Sequence, residues 1–128
     1  MLRHPSSHTV FAAILASAAF SAMPAASQPA PSFTASCGEL RKEIGKLDRK
    51  EEMATIAVTG RLTSVRDDGA LVYLFLCAAP NPRVLCVTYE TNGFKAGDEV
   101  IVTGNFIERG PDHVQLDPCL HHRPEAAR

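Results

Sequence analysis

After Met53 the period of apolar positions changes to two. In "ATIAVTGRLTS", Ile56, Val58 and Leu62 alternate with Thr55, Thr59, Arg61 and Thr63, the period of a strand with one buried face. "LVYLFLC" and "RVLCVTY" predict second and third strands. The "AAPNP" between them sets Asn81 between two prolines, a turn signal that also stops both strands. "EVIVTGNFI" predicts a fourth strand with Val100, Val102 and Phe106 on one face, and "HVQLDPC" a fifth with Val114 and Leu116 inward. "VRDDGA" is a hairpin turn, its Asp68-Gly69 pair supplying the positive φ angles. "ETNGFKAGD" is a loop with room for one helical turn, and "ERGPDH" is a turn.

Ahead of the strands the period is helical. "SCGELRKEIGKLDRKEEM" opens with Ser36 and Glu39 at capping-box spacing, and Leu40, Ile44 and Leu47 form one stripe. An amphipathic helix is predicted from about Cys37 to Glu51. Gly45 inside it costs about 1 kcal/mol relative to Ala, so this helix depends on docking. Its charged face intersperses both signs, the pattern of a solvated face rather than a binding surface.

Gly60 and Gly104 fall on the inward parity of the two long strands, where a side chain belongs. A glycine there marks a sharp bend or a close backbone approach. Two long bent strands and three shorter ones predict a strongly coiled five-stranded barrel, with the helix plugging an open end. The connections are too short for a parallel βαβ unit.

The first residues follow other rules. Arg3, an apolar stretch from Val10 to Phe20 and the small residues of "SAMPAAS" have the layout of a secretory signal peptide. The apolar stretch falls short of the roughly 20 residues that span a bilayer, so no membrane span is expected after cleavage. Losing Arg3 takes the net charge from −1 to −2. The expected organisation is a signal peptide over 1–27, a disordered leader over 28–35, the barrel domain over 36–120 and a flexible tail over 121–128, in a periplasmic or secreted protein.

Export changes what the cysteines mean. Cys37, Cys77, Cys86 and Cys119 all survive cleavage, and an even number in an oxidising compartment predicts two disulfides. Zinc is the rival, but no Cys-x-x-Cys pair is present. Three pairings are open. A turn between Asn81 and Pro82 would set Cys77 opposite Cys86, leaving Cys37 to Cys119.

"VLCVTY", "FKAGDEVIVTGNF" and "VQLDPCL" together resemble the bacterial OB-fold domains called tRNA-anti-like, over roughly Thr55 to Leu120. The resemblance implies a mainly β fold, a five-stranded OB-type Greek-key barrel with one N-terminal amphipathic helix. It also implies that the third and fifth strands are neighbours, which would pair Cys86 with Cys119 and leave Cys37 for Cys77. Many such domains sit in exported proteins without an assigned role, so the resemblance implies a fold and no activity.

Candidate chemistry is sparse. Asp67, Asp68 and Glu90 are acidic, but two belong to a turn and no EF-hand spacing follows. His113, Asp117, His121 and His122 could be drawn as a metal set, yet the tail lacks an ordering signal, and no metal or cofactor is expected. No Gly-x-Ser-x-Gly nucleophile motif occurs and the cysteines are spoken for, so no enzyme is expected. Nucleic acid is disfavoured as a partner, because Arg83 is the only cation from Gly69 to Thr91 and the mature charge is acidic. The expectation is a binding or accessory module of the cell envelope, taking an oligosaccharide or a protein segment beside the second and third strands. Its candidate contacts are Arg61, Tyr73, Arg83, Tyr89 and Arg109. A structural envelope protein without a ligand is the alternative, favoured if Tyr73, Phe75, Tyr89 and Phe94 are all buried. The residues specify no oligomeric state.

Overall fold

The period-two segments all form strands, and their order closes a barrel. The computed structural model describes residues 12–14, 16–17, 30–48 and 53–125. The expected signal peptide lies outside these residues except for five positions. Among the described residues no helix is long and apolar enough to cross a membrane. Seven elements follow one another: β1 (Thr34–Ser36), α1 (Leu40–Gly45), β2 (Thr55–Asp67), β3 (Val72–Leu76), β4 (Arg83–Thr88), β5 (Glu99–Gly110) and β6 (His113–His122).

The strands run in the order β1-β2-β3-β4-β6-β5, and a further β2–β5 pairing closes β2 to β6 into a cylinder. β4 and β6 pair in parallel, and the other barrel neighbours are antiparallel. This closed five-stranded Greek-key arrangement is the OB-type barrel expected from the sequence. β2 serves two sides: Thr55–Arg61 pair with β5, and Leu62–Asp67 pair with β3 past an irregularity between Leu62 and Ser64. β5 does the same against β6, with register shifts between Gly104 and Phe106 and between Glu108 and Gly110. Such irregularities let a long strand bend around a small cylinder. The inward residues Ile56, Val58, Leu74, Val84, Val100, Val102 and Leu116 are fully buried and fill it.

Both inward glycines mark close approaches. Gly104 sits opposite Cys119, where a Cβ would run into the Pro118 carbonyl oxygen and lie 3.0 Å from the Cys119 Cα. Gly60 lies under the Cys37–Cys77 disulfide, with a Cβ position only 2.8 Å from the Cys37 Sγ. β1 pairs with Ala57–Thr59 and β3 begins its pairing at Leu62, so the two strands lie end to end along one side of β2. The disulfide staples their ends across Gly60. The second bridge, Cys86–Cys119, joins the parallel neighbours β4 and β6, and no described cysteine is free. These are the pairings implied by the OB resemblance; the hairpin pairing Cys77–Cys86 does not occur.

Four local expectations are corrected. The leader is ordered near its end: Ser32 N–H donates to the Thr55 carbonyl, Ala57 N–H to the Phe33 carbonyl, and residues 34–36 form β1. Pairing to β2 outweighs the weak local propensity of this stretch.

The helix is shorter than Cys37 to Glu51. Ser36 is spent in β1 and Cys37 in a disulfide, so Glu39 becomes the N-cap and the helix stops at Gly45. Ser36 Oγ does meet Glu39, donating to Oε1 at 2.9 Å, but as a side-chain pair rather than a helix cap. The predicted helical stretch 49–51 lies outside the described residues. The short helix still plugs the barrel, with Leu40 fully buried and Ile44 and Leu47 packed against the core. Arg41 pins it to that end, donating to the Pro80 and Pro111 carbonyls and to Asp112 Oδ1 at 2.9 Å.

In the β2–β3 turn only Gly69 takes a positive φ, at 90°. Asp68 instead accepts from the Ala70 and Leu71 N–H groups through Oδ1.

The tail is not loose at its start. His121 and His122 finish β6, the His121 ring meets Phe94 edge-on at 5.2 Å, and the Arg123 guanidinium lies 4.6 Å above Phe94. Phe94 is buried, which gives these residues an apolar anchor that their own sequence lacks.

Candidate functional site

Strand β3 carries apolar residues on both parities. Val72, Leu74 and Leu76 point into the core, while Tyr73 and Phe75 stay partly exposed on the outer face. Register then assembles a patch. Phe75 faces Leu85 on β4 and Ser64 on β2, and Tyr73 faces Val87 on β4 and Arg66 on β2. Two aromatics two residues apart on one strand give adjacent ring faces on one side of the sheet.

A concavity of about 590 Å³ lies over this patch, lined by Thr63, Ser64, Val65, Arg66, Phe75, Cys77, Ala78, Ala79 and Arg83. A second of about 500 Å³ shares Arg66 and Phe75 and adds Asp68, Tyr73 and Leu85. A third of about 260 Å³ shares Ala79 and Arg83 and adds Pro80, Asn81, Asp112 and His113. Shared walls make them one groove crossing β2, β3 and β4.

The groove is held in shape by its ends. Tyr73 Oη donates to Asp68 Oδ2 at 3.0 Å, so the phenol is braced against the turn that carries Asp68. The backbone N–H groups of Leu71 and Ala70, with the Tyr73 hydroxyl, hold the Asp68 carboxyl below its usual range. The same hydrogen bond holds the Tyr73 proton and pushes that phenol's pKa above 10.0. At the other end, Asn81 N–H donates to the Ala78 carbonyl at 3.0 Å, and Arg83 N–H to the Asp112 carbonyl at 2.9 Å. β3, in the middle of the floor, is paired along both its edges, whereas residues 64–67 of β2 pair with β3 alone.

Of the residues singled out in the sequence, Tyr73 and Arg83 line this groove. Arg109 sits farther round the barrel, its Nε donating to Gln115 Oε1 at 2.9 Å, and Gln115 pairs with Leu85 of the patch. Arg61 lies on the half of β2 that pairs with β5, and its guanidinium donates to the Gly97 carbonyl at 3.2 Å. Tyr89, 75% exposed, follows β4 and lines none of the three concavities. Phe75, Leu85 and Arg66 join the site although they were not among the candidate contacts. The unbroken apolar run "VYLFL" was the available signal, because an outward face that must meet only water would alternate. Arg66 had no local signal, since only register brings it beside Tyr73.

The histidines weighed as a metal set have other surroundings. His121 Nε2 lies 3.2 Å from Asn92 Nδ2, and burial pushes this imidazole below its usual pKa, with the charge of His122 adding to the effect and the Thr91 backbone opposing it. His113 pairs with Arg83 in the β4–β6 register, and Asp117 accepts from Gln115 Nε2 at 3.3 Å. Among the described residues no three His, Cys, Asp or Glu side chains converge on a common point.

No protein-family model matches the sequence, and no curated protein matches it. The chain is similar to one in the crystal structure of the S. pombe Stn1-Ten1 complex, at a TM-score of 0.37 and 15% identity. That similarity covers 55% of this chain and 59% of the other. The OB-type assignment rests on the strand order and closure described above.

Proposed function

We propose that this chain is an exported OB-fold binding module of the bacterial cell envelope, of the tRNA-anti-like kind, and not an enzyme. Its groove over β2, β3 and β4 takes an extended ligand, an oligosaccharide or a protein segment. The observation that carries this reading is the outward pair Tyr73 and Phe75, partly exposed in a groove continuous across three strands. A barrel serving only as a scaffold has no use for two aromatics on its wet face, where they forgo burial worth roughly 1.5–3 kcal/mol per large side chain. The two disulfides point to an oxidising, extracellular-type compartment, which supports export. They also stiffen a domain of modest core, so that the groove is formed before the ligand arrives.

The test is chemical-shift mapping on the oxidised domain against neutral oligosaccharides, acidic oligosaccharides and peptides. Binding should move the amides of residues 63–66, 73–75 and 83–85 and leave those around Arg61 and Tyr89 in place. Perturbations confined to another face, or none with any of these ligands, would remove the reading.

A further inference from the structure

Two of the described arginines differ from the rest. Arg41 holds two carbonyls and Asp112, Arg61 holds the Gly97 carbonyl, Arg109 holds Gln115 and Arg123 covers Phe94. Arg66 and Arg83, among the described residues, have neither an ion pair nor a side-chain hydrogen bond. Both are exposed, and both line the same concavity, on opposite flanks of Phe75. A guanidinium presents a rigid planar fork that matches a carboxylate in two parallel hydrogen bonds. Two uncommitted forks around an aromatic floor are a receptor for a ligand with an apolar face and separated anionic groups.

Resting on the groove reading above, we infer that the ligand is an acidic oligosaccharide, with carboxylates on some of its sugars and not on every one. The sugar faces stack on Tyr73 and Phe75, and the carboxylates meet Arg66 and Arg83. Charge at one end of the groove sets the spacing. Asp68 stands beside Tyr73 at one end, with its carboxyl held ionised by backbone donors, and at the other end Asp112 is ion-paired with Arg41. A strand with an anion on every unit, such as single-stranded nucleic acid, would place charge against the Asp68 carboxylate. A peptide that binds by adding a β-strand would have to use the outer edge of residues 64–67 of β2, beside the groove rather than over Phe75, because β3 is paired along both its edges. A glycan recognised only through ring faces and isolated carboxylates meets neither obstacle.

The experiment is titration calorimetry on the oxidised domain with four probes: a hexasaccharide of alternating glucuronate and N-acetylglucosamine, the same hexasaccharide with its carboxyls reduced to alcohols, a dT12 oligonucleotide and an acidic hexapeptide. The acidic sugar should bind at least about tenfold more tightly than its reduced form, the size of one charge-assisted contact. Arg66→Gln and Arg83→Gln should each erase about that factor for the acidic sugar and leave the reduced sugar unchanged. Both side chains are exposed, so the variants keep the fold, checked by circular dichroism and thiol titration. Equal binding of the two sugars would overturn the carboxylate inference while leaving the groove reading in place. Stronger binding of dT12 or of the peptide, mapped to the same groove, would also overturn it. No sugar binding together with no effect of Phe75→Leu on any probe would remove the inference and the groove reading together.

Discussion

A methyl group added at Gly60 would test how tightly the barrel is built around its first disulfide. The Cβ of Gly60→Ala would stand 2.8 Å from the Cys37 Sγ, 3.3 Å from Leu76 Cδ1 and 3.8 Å from the Cys77 Sγ. Leu76 is fully buried and the sulfur is tied at both ends, so neither yields by simple rotation. Overpacking of this kind costs about 1–3 kcal/mol. The φ of Gly60 is not positive, so alanine also gains about 0.4–1 kcal/mol by restricting the unfolded chain. The net expectation is a loss of about 1–2 kcal/mol in the oxidised protein.

In a Cys37→Ala/Cys77→Ala background the sulfur is gone, and the new methyl fills the space it leaves. The same substitution should then be neutral or mildly stabilising, giving a coupling of about 2 kcal/mol. The assay is urea unfolding of all four proteins followed by circular dichroism. For a small domain that coupling moves the midpoint by roughly 1–2 M. Removing the bridge itself, with a sequence separation of 40, should cost about 4 kcal/mol in the loop-entropy account. Equal costs of Gly60→Ala in both backgrounds would refute the close approach at this site.

At Gly104 the obstacle is backbone rather than sulfur, so Gly104→Ala should cost about 2–3 kcal/mol whether or not Cys37–Cys77 is present; urea midpoints in both backgrounds check this. Replacing Cys86 and Cys119 together by alanine should cost about 4 kcal/mol for their separation of 33, read as a lower melting temperature and urea midpoint. The pKa of His121 is depressed in the folded state, so the unfolded chain binds the extra proton. Its contribution is therefore fully present above about pH 6.5 and is lost as pH falls from there toward the folded value. His121→Gln should flatten that part of the stability profile, and an unchanged slope would show that the imidazole is not held neutral. Tyr73 should hold its proton above the ordinary range, and Asp68→Asn should bring its ultraviolet titration back toward 10.0.

The apolar pattern determined by itself that five strands form and where their turns fall, and in the first, fourth and fifth, where it alternates, which residues face inward, because alternation reports burial one residue at a time. Inward glycines at 60 and 104 announced close approaches or bends for the same local reason. Cysteine pairing was not local: four thiols allow three patterns, and only the parallel adjacency of β4 and β6 brings Cys86 to Cys119. Tertiary contact likewise drew residues 34–36 into β1, cut the helix to six residues and pinned the start of the tail onto Phe94. The groove was decided by register, which joins Arg66 from one strand, Phe75 from the next and Arg83 from a third. Residues far apart in the chain become a surface only when strand order and stagger set them side by side. A pattern read along one strand carries no information about the stagger of its neighbours.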